Sequence, residues 1–149
     1  MALVYVDASA VLKLCVHEPG SPLASRLWDG ADAVVTSRLC DAEVRATLAA
    51  AQRAGLLAPE DHLAAVRIWD RLAPSVYLVE VTAEIMETAA RLIARHPVRG
   101  ADAVHLASAL AVASPDLVVA VWDEHLAVAA RAEGLTVVPT AGRLVGSAG

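Results

Sequence analysis

Short runs of Val, Leu and Ala alternate along this chain with longer stretches in which apolar residues recur every three or four positions. The short runs, at residues 3–6, 33–36, 76–81, 117–122 and 135–138, are apolar almost throughout rather than at every second residue. That pattern belongs to strands buried on both faces. Their alternation with helical segments predicts an α/β fold with a parallel sheet covered by helices on both sides.

Capping residues divide the helical stretches. Ser21-Pro22 is expected to cap and begin one helix, Ser37 to cap the next and Gly55 to end it. Pro59-Glu60-Asp61 opens another, which must stop before Pro74. Thr82-Ala-Glu-Ile begins a helix with Glu84 in its first turn and Arg91, Arg95 and His96 toward its end, and Pro97 and Gly100 close that segment. Helices over residues 101–113 and 123–133, the latter closed by Gly134, complete the reading. With no repeat or low-complexity tract, residues 1–140 are expected to form one domain and residues 141–149 a loose tail.

Composition narrows the classes. At 57% AVILMFWYC and 19% charged residues, the chain is that of an ordered globular protein. Mean hydropathy is high at +0.53. Each apolar run is nevertheless cut by a charge, His or Pro well short of the roughly 20 residues a membrane span needs. The first residues contain no basic segment, and Asp7 interrupts their apolar run, so a signal peptide is not expected and the cytoplasm is the default location. Cys15 and Cys40 stand alone, without ligand spacing, and are expected to be buried thiols rather than a zinc site or a disulfide. The net charge of −5 has the wrong sign for bulk attraction to a polyanion, so any nucleic-acid contact must be local. With no Phe, two Tyr and three Trp, an extended base-stacking platform is also disfavoured.

Ligands of parallel α/β sheets bind beyond the C-terminal ends of the strands. Two Asp fall there: Asp7 directly after the first strand and Asp123 after the fourth. If those strands are neighbours, the two backbones lie roughly 5 Å apart, one strand spacing. Each residue can also be read as a helix N-cap, and Asp102 as an acid suited to a helix's first turn. Glu43 is harder to explain in that way. It shares a face with Leu39, Ala46 and Ala50 at spacings of three and four, so it needs a partner, whereas Asp41 should be solvated. If the four acids converge, each pair at 4 Å costs about 4 kcal/mol at an effective dielectric near 20. A hard divalent cation would offset that cost. Carboxylates suit Mg²⁺ or Mn²⁺, and no His or Cys cluster suggests zinc. Such a centre can activate water and stabilise a phosphodiester transition state.

Val6-Asp7-Ala8-Ser9-Ala10, Glu43-Val44, Ala101-Asp102-Ala103-Val104-His105-Leu106-Ala107 and Trp122-Asp123-Glu124-His125-Leu126, followed by Ala129-Ala130 and Gly134, together resemble the PIN domain. More closely, they resemble the VapC-type toxins of bacterial toxin–antitoxin systems, over residues 4–138. The resemblance implies a five-stranded parallel sheet ordered 3-2-1-4-5 and Mg²⁺- or Mn²⁺-dependent endonuclease activity on structured RNA. It also implies a homodimer and a cognate antitoxin that blocks the site. By the same resemblance, Asp7 and Asp102 are the central metal ligands, Glu43 a ligand or water-orienting acid, and Asp123 the fourth acid. Ser9 supports Asp7 by hydrogen bonding. One departure is Ala120-Val121-Trp122, where the family often has Thr or Ser just ahead of its last Asp.

His105, one turn after Asp102, is expected to be a structural histidine, and Arg38, Arg45 and Arg53 a solvated basic face with phosphate contact as the other option. A receiver domain would need a Lys late in the chain, and the only Lys is Lys13. Dinucleotide- and P-loop-binding folds would need glycines where Asp-Ala-Ser-Ala stands, and Ser9 occupies the place of an aspartyl phosphatase's second acid. The remaining alternative is a catalytically inactive PIN-like module that binds RNA or a protein, against which the retention of all four acids argues.

Overall fold

The computed structural model describes residues 1–140; the expected tail lies outside the described residues. The elements follow in the order β1 (Leu3–Val6), α1 (Ala8–Cys15), α2 (Ser21–Gly30), β2 (Ala33–Ser37), α3 (Cys40–Arg53), α4 (Pro59–Leu72), a 3₁₀ turn (Ala73–Ser75), β3 (Tyr77–Val79), α5 (Ala83–Arg95), α6 (Gly100–Ala111), β4 (Leu117–Ala120), α7 (Glu124–Ala132) and β5 (Thr136–Val138). All strand pairs are parallel and the sheet order is β3-β2-β1-β4-β5, as the family resemblance implied.

β1 lies at the centre, with Val4 paired to Val34 on one side and to Val118 on the other. Its residues alternate between two apolar layers. Val4 and Val6 pack with Val11, Cys15, Val44, Leu48 and Trp69, from α1, α3 and α4. Tyr5 packs on the opposite face with Ile85, Leu92, Leu106 and Leu126, from α5, α6 and α7. Covering both faces explains why the strands read as continuous apolar runs. Cys15 and Cys40 are buried and unpaired, as expected, and burial pushes their thiols up to about 11 and about 12. No helix among the described residues is long and apolar enough to cross a membrane.

Several boundaries differ from the sequence expectation for identifiable reasons. β4 ends at Ala120 rather than Trp122, because the Trp122 N–H leaves the ladder and donates to Ser9 Oγ at 2.9 Å. β3 is limited to Tyr77–Val79. Ser37 does not cap α3. It ends β2, and its hydroxyl accepts from the Leu39 N–H at 3.1 Å one turn before the helix begins. Thr82, read as the first residue of α5, is its cap, accepting from the Ile85 N–H at 3.2 Å.

The entry to α2 depends on Gly20, which has φ +95 and takes the cap position ascribed to Ser21. Ser21 is the first helical residue, and its hydroxyl joins Glu18 to Val16. A Cβ on Gly20 would stand 2.6 Å from Trp122 Nε1, so the glycine is required both by its backbone and by the indole packed on it. Gly20→Ala should therefore destabilise the protein by about 1–3 kcal/mol, measured by urea unfolding. Gly30→Ala has nothing within 4 Å to meet and should be neutral or slightly stabilising. Equal effects of the two substitutions would contradict this account of the turn.

Candidate active site

The sheet order makes the C-terminal ends of β1 and β4 a switch point, where the connection from β1 runs to β2 on one side and that from β4 to β5 on the other. Asp7 stands there as the N-cap of α1. Its Oδ1 accepts from the Ala10 N–H at 3.1 Å and from the Ser9 hydroxyl at 2.6 Å. Because Ser9 Oγ also accepts from the Trp122 N–H, one hydroxyl ties the end of β1 to the end of β4. This is the supporting position expected for Ser9. Asp7 is only 5% exposed, and burial pushes its carboxyl from 3.8 to about 6. The bonds from Ser9 and Ala10 and the nearby His105 oppose that rise, and the Glu43 charge adds to it.

Asp123 caps α7, its Oδ1 accepting from the Leu126 N–H at 2.9 Å. Register corrects one expectation about it. Val6 pairs with Ala120, which sets Val121 opposite Asp7 and carries Asp123 two residues farther along. The two Asp are on neighbouring strand ends but not abreast. Asp123 instead faces Asp102, in the first turn of α6, across a cleft of about 310 Å³ lined also by Pro97, Val98, Arg99 and His125. Burial raises the Asp102 carboxyl, the Asp123 charge raises it further, and Glu43 contributes in the same direction. The Arg99 N–H, which donates to Asp102 Oδ2 at 3.4 Å, acts against the rise together with His105.

Glu43 has the partner its helix face required. Its Oε1 meets His105 Nε2 at 2.5 Å, and the Tyr5 hydroxyl meets His105 Nδ1 at 2.8 Å. The acids thus form two couples, Asp7 with Glu43 and Asp102 with Asp123, with Glu43 also felt by Asp102. Among the described residues no three His, Cys, Asp or Glu side chains are gathered tightly enough to enclose a metal ion as they stand. The donor set nevertheless suits a hard cation. None of the ion pairs among the described residues brings a Lys or Arg to any of the four acids: Lys13 pairs with Glu18, Arg38 with Glu80, and Arg45 with Asp41 and Asp70. Asp7 Oδ2 and Asp123 Oδ2 accept no hydrogen bond among these residues and are not sealed from solvent. Two groups in electrostatic contact with unneutralised carboxylates and carrying raised protonation tendencies are what a divalent ion would relieve.

The remaining expectations divide. Asp41 is not simply solvated: it accepts from Trp69 Nε1 at 2.8 Å and pairs with Arg45. Arg38 and Arg45 are engaged by acids, while Arg53 lies in the last turn of α3. Arg99, at the cleft, was missed, having no motif to mark it. Tyr5 was also missed, although a tyrosine in the middle of a buried aliphatic strand needs a partner for its hydroxyl.

The PIN-domain profile matches residues 4–121. Ribonuclease VapC45 and Ribonuclease VapC49 of Mycobacterium tuberculosis are each 52% identical over 139 residues, covering 93% of this chain and 96% of the relative. Among solved structures, the M. tuberculosis VapC20, a sarcin–ricin loop cleaving toxin, matches at 25% identity with a TM-score of 0.56, over 72% of this chain and 82% of that one. A Pyrobaculum aerophilum protein matches at 22% identity with a TM-score of 0.64, over 97% and 95% of the two chains, a likeness that bears on fold alone.

A raised carboxyl pKa has a definite consequence for stability. Between 3.8 and about 6 the metal-free folded state holds the Asp7 proton more tightly than the unfolded chain does. The stability linked to that proton is full below the lower value and lost as pH rises through the upper one. Asp7→Asn keeps an acceptor for Ala10 and Ser9 and cannot ionise. In EDTA, urea unfolding from pH 4 to pH 7 should show the variant gaining on wild type as pH rises, by at most about 3 kcal/mol at 1.4 kcal/mol per pKa unit. Parallel pH curves for the two proteins would refute the buried-acid reading.

Proposed function

The chain belongs to the PIN-domain family, and from that membership we propose that it is a VapC-type endoribonuclease toxin hydrolysing RNA phosphodiester bonds with Mg²⁺ or Mn²⁺ held by Asp7, Asp102, Asp123 and Glu43. The observation that carries the proposal is an acid rim at the sheet's switch point whose most buried member, Asp7, is only 5% exposed with no Lys or Arg paired to it among the described residues. When bound, the cation neutralises the rim, polarises the phosphodiester and lowers the pKa of water.

The protein's own groups set the geometry. Ser9 and the Ala10 N–H engage Asp7 Oδ1, which leaves Oδ2 as the atom that would hold a cation. The Leu126 N–H orients Asp123 in the same way. Arg99 and His125 line the cleft beside Asp102 and Asp123, and Arg99 brings positive charge to the side where a phosphate would approach. Local cations of this kind are what a chain of net charge −5 needs in order to hold RNA. Structured RNA is the proposed substrate class, in keeping with the loop named for the similar VapC20.

A cognate antitoxin, a homodimer and a cytoplasmic setting complete the reading. The exposed Leu63, Tyr77, Leu78, Met86, Ile93 and Val128 offer apolar surface for such contacts, of the sort an amphipathic helix or a second copy would cover.

Purified protein should cleave RNA with Mg²⁺ or Mn²⁺ and not in EDTA, and adding back either ion should restore cleavage. Asp102→Asn should lower the rate by about two orders of magnitude or more, in the range for losing one transition-state-stabilising group. Arg99→Ala should weaken RNA binding at low salt and reduce its salt dependence. Undiminished cleavage in EDTA, or an active Asp102→Asn, would overturn the proposal.

A further inference from the structure

His105 is 2% exposed, and both of its ring nitrogens are engaged. A histidine needed only for packing could satisfy itself within the core. This one reaches outward with Nε2 to Glu43, a side chain still about a quarter exposed, and holds that carboxylate against the base of the rim. An ionised carboxylate only accepts, so Nε2 carries the hydrogen. The Tyr5 hydroxyl meets Nδ1 at 2.8 Å, so the ring is held at both nitrogens. The chain Tyr5–His105–Glu43 runs from the middle of β1 through α6 to α3, and His105 is one turn along α6 from Asp102.

We propose that His105 is a positioning residue, whose Nε2–H fixes the Glu43 carboxylate where it completes the cation's ligand set, and that Tyr5 fixes the imidazole through Nδ1. The proposal rests on the cation reading of the four acids. Hydrogen-bonded support of a ligating carboxylate is worth about 10–100-fold in metal affinity or activity. Removing the donor should therefore loosen the cation without removing any ligand.

Three variants separate positioning from packing. His105→Met keeps an apolar volume and loses the donor; His105→Gln restores an N–H near the position of Nε2; Tyr5→Phe deletes one hydroxyl. For each, Mn²⁺ affinity is measured by electron paramagnetic resonance, RNA cleavage is followed across Mn²⁺ concentration, and melting is recorded in EDTA. His105→Met should bind Mn²⁺ at least 10-fold more weakly, with cleavage recovering substantially at saturating Mn²⁺. His105→Gln should stay within about 3-fold of wild type, and Tyr5→Phe should lose a few-fold. If His105→Met does not fold, Tyr5→Phe and the Gln rescue still decide the matter, and unchanged Mn²⁺ affinity in Tyr5→Phe would count against the chain. A folded His105→Met that binds Mn²⁺ within 2-fold of wild type overturns the positioning role while the cation reading stands. Wild type that binds no Mn²⁺ and cleaves in EDTA removes the premise and the proposal together.

Discussion

Carboxylates brought together out of water repel one another, and the C-terminal end of this sheet is arranged around that repulsion. Two couples of acids meet there, and in each one member, Asp7 or Asp102, is raised by burial and further by the charge of its neighbour, Glu43 or Asp123. The surrounding groups moderate the cost without cancelling it. Ser9, His105 and the backbone N–H groups of Ala10, Arg99 and Leu126 hold the carboxylates in place, and no Lys or Arg among the described ion pairs reaches them. A structure that accepts such a cost at one place, while pairing Arg38, Arg45 and Lys13 with acids elsewhere, leaves its charge balance open to an external cation.

The fold supplies the positions. A central parallel strand buried on both faces ends at a switch point, and there Asp7 is both helix cap and buried acid. The cap reading holds for both and does not exclude the other: Asp7 and Asp123 each cap a helix with Oδ1 and keep the other oxygen available. Capping fixes the direction of the carboxylate and is compatible with the chemical role proposed for it.

How much was legible in the sequence follows from the range of the forces involved. Continuous apolar runs and caps such as Thr82 act locally, so the α/β class and most elements could be read from the residues themselves. The strand order came from family resemblance. What could not be read depends on register and on contacts between distant residues. The two-residue offset of Asp123 from Asp7 is set by the pairing of Val6 with Ala120. The early end of β4 is set by a hydroxyl from α1. Asp41 is held by Trp69 from another helix. The need of Glu43 for a partner was visible from its helix face, but His105, 62 residues away, could be identified only once α3 and α6 were placed.

The central claim is that the acid rim is a cation site built at the end of β1. Crystals of the protein soaked in Mn²⁺, with diffraction recorded at a wavelength where manganese scatters anomalously, test it most directly. The account predicts an anomalous peak within ligand distance of Asp7 and Asp102, absent from Asp7→Asn crystals treated identically. A peak confined to some other surface, or none at Mn²⁺ concentrations that support cleavage, would contradict it.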